Sequence, residues 1–289
     1  MAPVFAVDLP DVVEWLSHSG IPAVPLTGEM SGVAGAVVAV SAKAETVGLA
    51  QRSEPGVRKL RVVQAVHGGD SATVRYTIMQ LLSSDPLACV RRQEDIAAAI
   101  KSSGRYVQFT GVGAELHVQF PGRAGLMRLG DPIIKPGESL GAAHFFEIGL
   151  TNPGADKGSV FQVNGRCRAR GMIAARDQKL STAPEPAEWG RCRCEIARLG
   201  VDLRIQDNQL VECVLDGRDI SADIARWTGM HGLGITECSI GVNPQVLADV
   251  DWSLNSVMNE GAQGIHIGFG LYDGMHFDFI CPEVGLVSG

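Results

Sequence analysis

Residues 264–280 read GIHIGFGLYDGMHFDFI. On either side of a glycine-bearing LYDG, polar and apolar side chains alternate with the period of a strand, so the stretch reads as a β-hairpin. Its register decides which side chains meet, because a slip of one residue turns every side chain to the other face. A two-residue turn at Asp273-Gly274 sets Phe269 opposite Asp278 and turns His266 away from His276. A three-residue loop, Tyr272-Asp273-Gly274, with Gly274 in the left-handed region, sets Gly268 opposite Asp278 and Gly270 opposite His276. In that second register His266, His276 and Asp278 share one face, over glycines that leave room for an ion and a substrate.

The same C-terminal region is dense in metal-ligand residue types. Glu237 lies in ITECSIGVNP, Glu260 and His266 in NEGAQGIHIGFG, and His276 and Asp278 in MHFDFI. Residues i and i+2 of a strand point the same way about 6–7 Å apart, so the heads of an H-x-D pair converge on one ion. Imidazole combined with carboxylate suits zinc, manganese, iron or cobalt better than magnesium or calcium.

Working outward, the chain has 289 residues, 45% hydrophobic and 20% charged, enough apolar material for two domains. The expected class is α/β: a small N-terminal α/β domain over 1–104, then a β-rich α+β domain over 105–289 that carries the metal site. Asp8 to Ser19 reads as a helix with Asp8 as its cap, and Glu94 to Ser103 as a second helix that ends at Gly104. IPAVPL, VAGAVVAVSA and KLRVVQAV read as strands between them. Beyond Gly104 come short runs such as RYVQFTG, AELHVQF, GLMRLG and SVFQVNG, and Thr182 to Pro186 is the best internal loop. CRCEIARL and VDLRIQDNQLVECVL read as further strands, the latter turning at Asp207-Asn208, before a helix from Ser221 to Thr228.

A net charge of −7 and a pI near 5.5, with scattered Lys and Arg, leave no footprint for nucleic acid. Without a basic leader or an apolar run of about 18–20 residues, the expectation is a soluble cytoplasmic protein that avoids membranes and takes a small-molecule substrate. The seven cysteines follow no disulfide framework and are expected reduced, Cys192 and Cys194 alternating along a strand.

These motifs resemble the leucyl aminopeptidase/aminopeptidase T metallopeptidases of the thermophilic type. That family has a G-E-F-x-x-G-x-N-P segment with a glutamate ligand, a D-E-K-x-x-G-S-x-H-x-A-L-G-x-x-Y segment with a histidine, and an H-x-D. ECSIGVNP, NEGAQGIHIGFGLY and HFD follow in the same order, and the resemblance covers roughly residues 104 to 289. It implies that Glu237, His266, His276 and Asp278 hold the metal. Glu260 or Glu237 would manage the proton, and Tyr272 stands where the family also has tyrosine. The plainer reading makes Glu260 a brace for the hairpin and Tyr272 a residue closing its turn.

One departure is specific. The family's first glutamate ligand sits in a D-G-E-V-F turn, and Ser159 holds its place in Asp156-Lys157-Gly158-Ser159-Val160-Phe161. The expectation is therefore one divalent transition metal ion (Fe2+, Zn2+, Mn2+ or Co2+) and hydrolysis of an amide- or ester-like bond. A related enzyme on this scaffold, 2,5-dihydroxypyridine 5,6-dioxygenase, has a histidine in place of Glu237 and one ferrous ion, which makes a ring-cleaving dioxygenase the alternative. A non-catalytic ligand-binding descendant is the third reading. The resembled families also imply a homodimer or larger oligomer, and the parts of His144 and His231 stay open.

Overall fold

Short strands and longer helices both occur in the first hundred residues of the computed structural model. It describes residues 3–26, 36–41, 60–65, 70–104, 106–119, 139–151, 160–176, 186–229, 232–270 and 275–287. In chain order, β1 (Val4–Val7), α1 (Pro10–His18), β2 (Ala23–Pro25), β3 (Ala36–Ser41) and β4 (Leu60–Ala65) precede the long helices α2 (Ser71–Ser83) and α3 (Pro86–Ser102). Then follow β5 (Tyr106–Gly111), β6 (Ala114–Gln119), β7 (Ser139–Gly141), the single turn α4 (Ala143–Phe146), β8 (Glu147–Thr151), β9 (Gln162–Ala169) and β10 (Gly171–Arg176). The remainder is α5 (Ala187–Leu199), β11 (Val201–Gln206), β12 (Gln209–Leu215), β13 (Arg218–Asp219), α6 (Ser221–Thr228), β14 (Ile235–Gly241), α7 (Pro244–Ala248), a 3-10 turn at Val257–Asn259, β15 (Gly264–Gly270), β16 (Met275–Pro282) and β17 (Val284–Val287). The protein is thus a mixed α/β fold with several sheets. No described helix is long and apolar enough to cross a membrane.

The first sheet is parallel, in the order β2-β1-β3-β4-β7, so its last strand arrives from well beyond residue 104. The other two sheets are antiparallel: β13-β12-β11-β9-β6-β5-β17 and β10-β16-β15-β14-β8. They share one apolar core, in which Leu116, Val163 and Leu203 of the seven-stranded sheet meet Ile265, Ile267, Phe269 and Phe279 of the five-stranded one. Two helices extend that core, since Phe277 lies edge-on to Trp189 of α5 at 4.9 Å and tilted against Trp227 of α6 at 5.8 Å. Aromatic contacts of this kind add about 0.5–1.5 kcal/mol beyond the area they bury.

Several elements depart from the reading of the sequence. CRCEIARL is helical: Trp189, Cys192 and Ile196 recur at i, i+3 and i+7 and are buried, while Cys194 is exposed. The alternation suggested by C-x-C is incidental to that stripe, and Gly200 at φ 74° ends the helix. Asp8 does not cap α1, whose cap position is Leu9, and the Asp8 carboxylate instead accepts a hydrogen bond from Ser41 at 2.8 Å. The helix expected over 94–103 begins eight residues earlier, where Asp85 accepts from the Ala88 amide ahead of Pro86 at the first turn. Helix α2, capped by Asp70 onto Thr73, was not read at all. The segments GLMRLG and Thr182–Glu185 lie outside the described residues.

The turn at Asp207-Asn208 joins β11 to β12 as expected, both residues having positive φ (51° and 60°). Asn208 also ties this hairpin to β9, accepting from the Val163 amide at 2.6 Å and donating to the Phe161 carbonyl at 2.6 Å. Asn208→Ala leaves both buried main-chain groups without those partners and is expected to lower unfolding free energy by about 2–4 kcal/mol in a urea titration. A change below about 0.5 kcal/mol would refute this account of the turn.

Candidate metal centre

The five-stranded sheet sorts its residues by alternation. Ile265, Ile267, Phe269, Phe277 and Phe279 turn toward the apolar core. The opposite face carries His266, Gly268, Gly270, His276 and Asp278, with Gly268 paired to Asp278 and Gly270 to His276. This is the register expected from a three-residue loop, although Tyr272 itself lies outside the described residues. Strand β14 adds Glu237 opposite Gly268 and Ser239 opposite His266, and β8 adds Glu147 opposite Gly241. Small residues between the long ones let side chains from four strands lean together across the sheet.

The result is two donor groups that share one carboxylate. In the first, His266 Nε2 lies 3.3 Å from Glu237 Oε1 and 3.5 Å from Glu147 Oε2. In the second, His276 Nε2 lies 3.4 Å from Glu237 Oε2 and 3.0 Å from Asp278. Within each of the groups Glu147–Glu237–His266 and Glu237–His276–Asp278, one ligand atom from every member lies within 4.8 Å of the others. His266, His276 and Asp278 are each only 1% exposed. His276 Nδ1 stands 3.2 Å from the Gly270 carbonyl, and a donor there leaves Nε2 free of its proton for a ligand role. Ser239 donates to Glu237 Oε1 at 2.8 Å.

Charge balance follows from this packing. Burial alone would lower the His266 pKa, yet the hydrogen bond to Glu237 and the fields of Asp278, Glu147 and Glu237 lift it to about 10. His276 is likewise held well above its usual value, its burial outweighed by Asp278 and Glu237. Burial pushes against ionisation of Glu237, but hydrogen bonds from both histidines hold its carboxyl well below the usual range. Glu147 moves the other way, raised to about 7 by burial, with His266 lowering and Glu237 and Asp278 raising it. Glu260, 6% exposed at the end of the 3-10 turn, is raised well above the ordinary value by burial and by Asp278 and Glu147.

All four residues assigned to the metal therefore meet, and Glu260 lies within their electrostatic reach. Glu147 was missed by the sequence reading. Its only local signal is the small residue two places on, Gly149, which falls on the same face of β8. His144 is exposed with its ring against the Gly141 carbonyl, whereas Ser159 and His231 lie outside the described residues.

The donors fit a divalent transition metal on two counts. Ligand atoms about 2.1 Å from a tetrahedral ion stand about 3.4 Å apart, close to the 3.0–3.5 Å separations found here. Glu147 Oε2 and His266 Nδ1 are also buried without a hydrogen-bond partner among the described residues, and the first of these points at the cluster.

Comparison with known proteins agrees with the fold. The family described as crocagin biosynthetic protein CgnE/B matches residues 2–287. No curated protein matches the sequence. Among solved structures, AmpT from Thermus thermophilus superposes with a TM-score of 0.50 at 13% identity, over 99% of this chain and 89% of that one. A 2,5-dihydroxypyridine dioxygenase from Pseudomonas putida KT2440 gives a TM-score of 0.49 at 9% identity, over 99% and 88%. At such identities the likeness to AmpT speaks for the fold alone.

Two measurements test this centre. A methyl group on Gly268 would lie 2.7 Å from Asp278 Oδ1 and 2.8 Å from His276 Cε1, so Gly268→Ala is expected to weaken cation binding by about tenfold or more while leaving the far-UV circular dichroism unchanged. Unaltered binding by that variant would contradict the geometry. The imidazolium at His266 favours the folded, metal-free protein fully below its ordinary value of 6.5, and that contribution is lost as pH rises through about 10. Cation loading has to expel the same proton, so apparent affinity should climb across this window by up to about tenfold per pH unit for each proton released. Calorimetry in buffers of different ionisation enthalpy counts the protons, and an affinity flat with pH would be the opposite result.

Proposed function

We propose that this chain, which belongs to the crocagin biosynthetic protein CgnE/B family, is a divalent-cation-dependent enzyme that hydrolyses an amide- or ester-like bond in a small substrate. One observation carries the reading: the Glu237 carboxylate is split, Oε1 toward His266 and Oε2 toward His276. A carboxylate placed in this way suits two cations held side by side, one by Glu147, Glu237 and His266 and one by Glu237, His276 and Asp278. The expectation of a single ion rests on Ser159, and Glu147 supplies the carboxylate that Ser159 lacks. When bound there, such cations would make a nucleophile from water and polarise a carbonyl.

The chain's own residues account for the remaining chemistry. Glu237 keeps both oxygens ionised between the imidazoles, and His276 is oriented by the Gly270 carbonyl. Burial, with the fields of Asp278 and Glu147, pushes the Glu260 carboxyl well above its ordinary value, which suits it to give a proton to a leaving nitrogen or oxygen. The biosynthetic description of the family supports a substrate encountered in the making of a product rather than in general protein turnover.

A second reading, a ferrous ring-cleaving dioxygenase, draws support from the two imidazoles beside a carboxylate. The surplus of carboxylates around them favours hydrolysis. Metal analysis of the purified protein, with ester hydrolysis and oxygen uptake measured on the same sample, separates the two. Hydrolysis with zinc, manganese or cobalt is the expected outcome, and iron-dependent oxygen consumption without hydrolysis would reverse the order. His276→Ala and Asp278→Ala should each lose at least one bound cation and lower the activity by about 100-fold or more, with the fold retained. Full metal content in both variants would remove these residues from the ligand set.

A further inference from the structure

Gln93 lies within α3 and is completely buried. Its side-chain nitrogen donates to the carbonyl oxygens of His144 at 2.8 Å and Glu147 at 2.9 Å. An amide nitrogen has two N–H donors, and both are spent where α4 ends and β8 begins. On the other side of the same backbone, the Val242 amide donates to the Phe146 carbonyl at 2.8 Å, and Gly241 pairs with Glu147 in the sheet. Glu147 is therefore gripped from β14 and from the helical layer, and its Oε2 projects without a hydrogen-bond partner among the described residues to within 3.5 Å of His266.

We propose that Gln93 is a positioning residue for the cation site: it fixes the main chain at Glu147 so that the carboxylate completes the subsite shared with His266. The inference rests on the two-subsite reading above and goes beyond it by making one subsite depend on a residue of a helix that contributes no ligand. Ligand sets tolerate displacements of only about 0.5 Å, and losing the Gln93 donors leaves two buried carbonyls to seek other partners, which moves the start of β8. The other subsite takes His276 and Asp278 from β16, separated from β8 by two strands, and shares only Glu237 with the first.

The test is calorimetric titration of the metal-free, full-length protein with Co2+, followed in parallel by the visible absorption of the bound ion. Wild-type protein is expected to show two binding events, of which Glu147→Gln abolishes one. Gln93→Met, which keeps the volume and removes the donors, should weaken that same event by about 10–100-fold and leave the other within about twofold. In a Glu147→Gln background Gln93→Met should have no further effect, a non-additivity that a general loss of stability does not produce. If Gln93→Met fails to fold, Gln93→Asn carries the test, since its amide is one methylene too short to reach both carbonyls and the same selective loss is expected. Equal weakening of both events, no weakening of either, or additive losses in the double variant would each overturn the role of Gln93. Absence of a second event in wild-type protein would instead overturn the two-subsite reading on which it rests.

Discussion

The sheet that carries the cluster is buried on both faces, so every polar side chain on it must be satisfied inside the protein. One face does this by being apolar. The other gathers Glu147, Glu237, His266, His276 and Asp278 into contact, with glycine or serine at the positions between them. The remaining architecture follows from that demand. The seven-stranded sheet and helices α3, α5 and α6 contribute to the apolar core, while α2 bonds the segment that ends at Glu260. Tyr76 of α2 bonds to Asn259 at 2.5 Å, Thr77 to Ser256 at 2.7 Å, and Asn255 bonds both main-chain groups of Ala174 at 2.9 Å. These contacts deliver Glu260 to the cluster from a segment with little regular structure of its own.

The cluster has two ways to be neutral. In one, protons on both imidazoles offset the charge of Glu237, and the same 3.0–3.5 Å separations serve as ion pairs. In the other, divalent cations would take the place of those protons. Replacing one partner of such a network costs far more than the network contributes, because the others are left charged and dry. The donor atoms are thus gathered before any metal arrives, and a preformed site of this kind would have little to reorganise on taking one up.

The hairpin register was legible as one of two, since only the pairing of Gly268 with Asp278 and Gly270 with His276 brings the polar side chains to one face. Glu237 was legible only through its motif, since nothing local says that β14 lies beside β15. Glu147 was not legible, as its role depends on a pairing with Gly241 nearly a hundred residues away and on Gln93 behind it. Helix α5 was misread because two cysteines at i and i+2 mimic strand alternation, whereas the stripe that decides the matter, Trp189, Cys192 and Ile196, appears only over two turns. The Asp85 and Asp70 caps were present in the sequence, and reading them would have recovered both long helices.

The parallel sheet closes with β7, a strand that the chain reaches only after building β5 and β6 of a different sheet. During synthesis at about 5–20 residues per second, β4 therefore leaves the ribosome several seconds before the partner for its outer edge exists. An unpaired parallel edge is the kind of surface on which nascent chains associate wrongly. The order of the strands thus leaves that edge of β4 without its partner on the growing polypeptide throughout the interval.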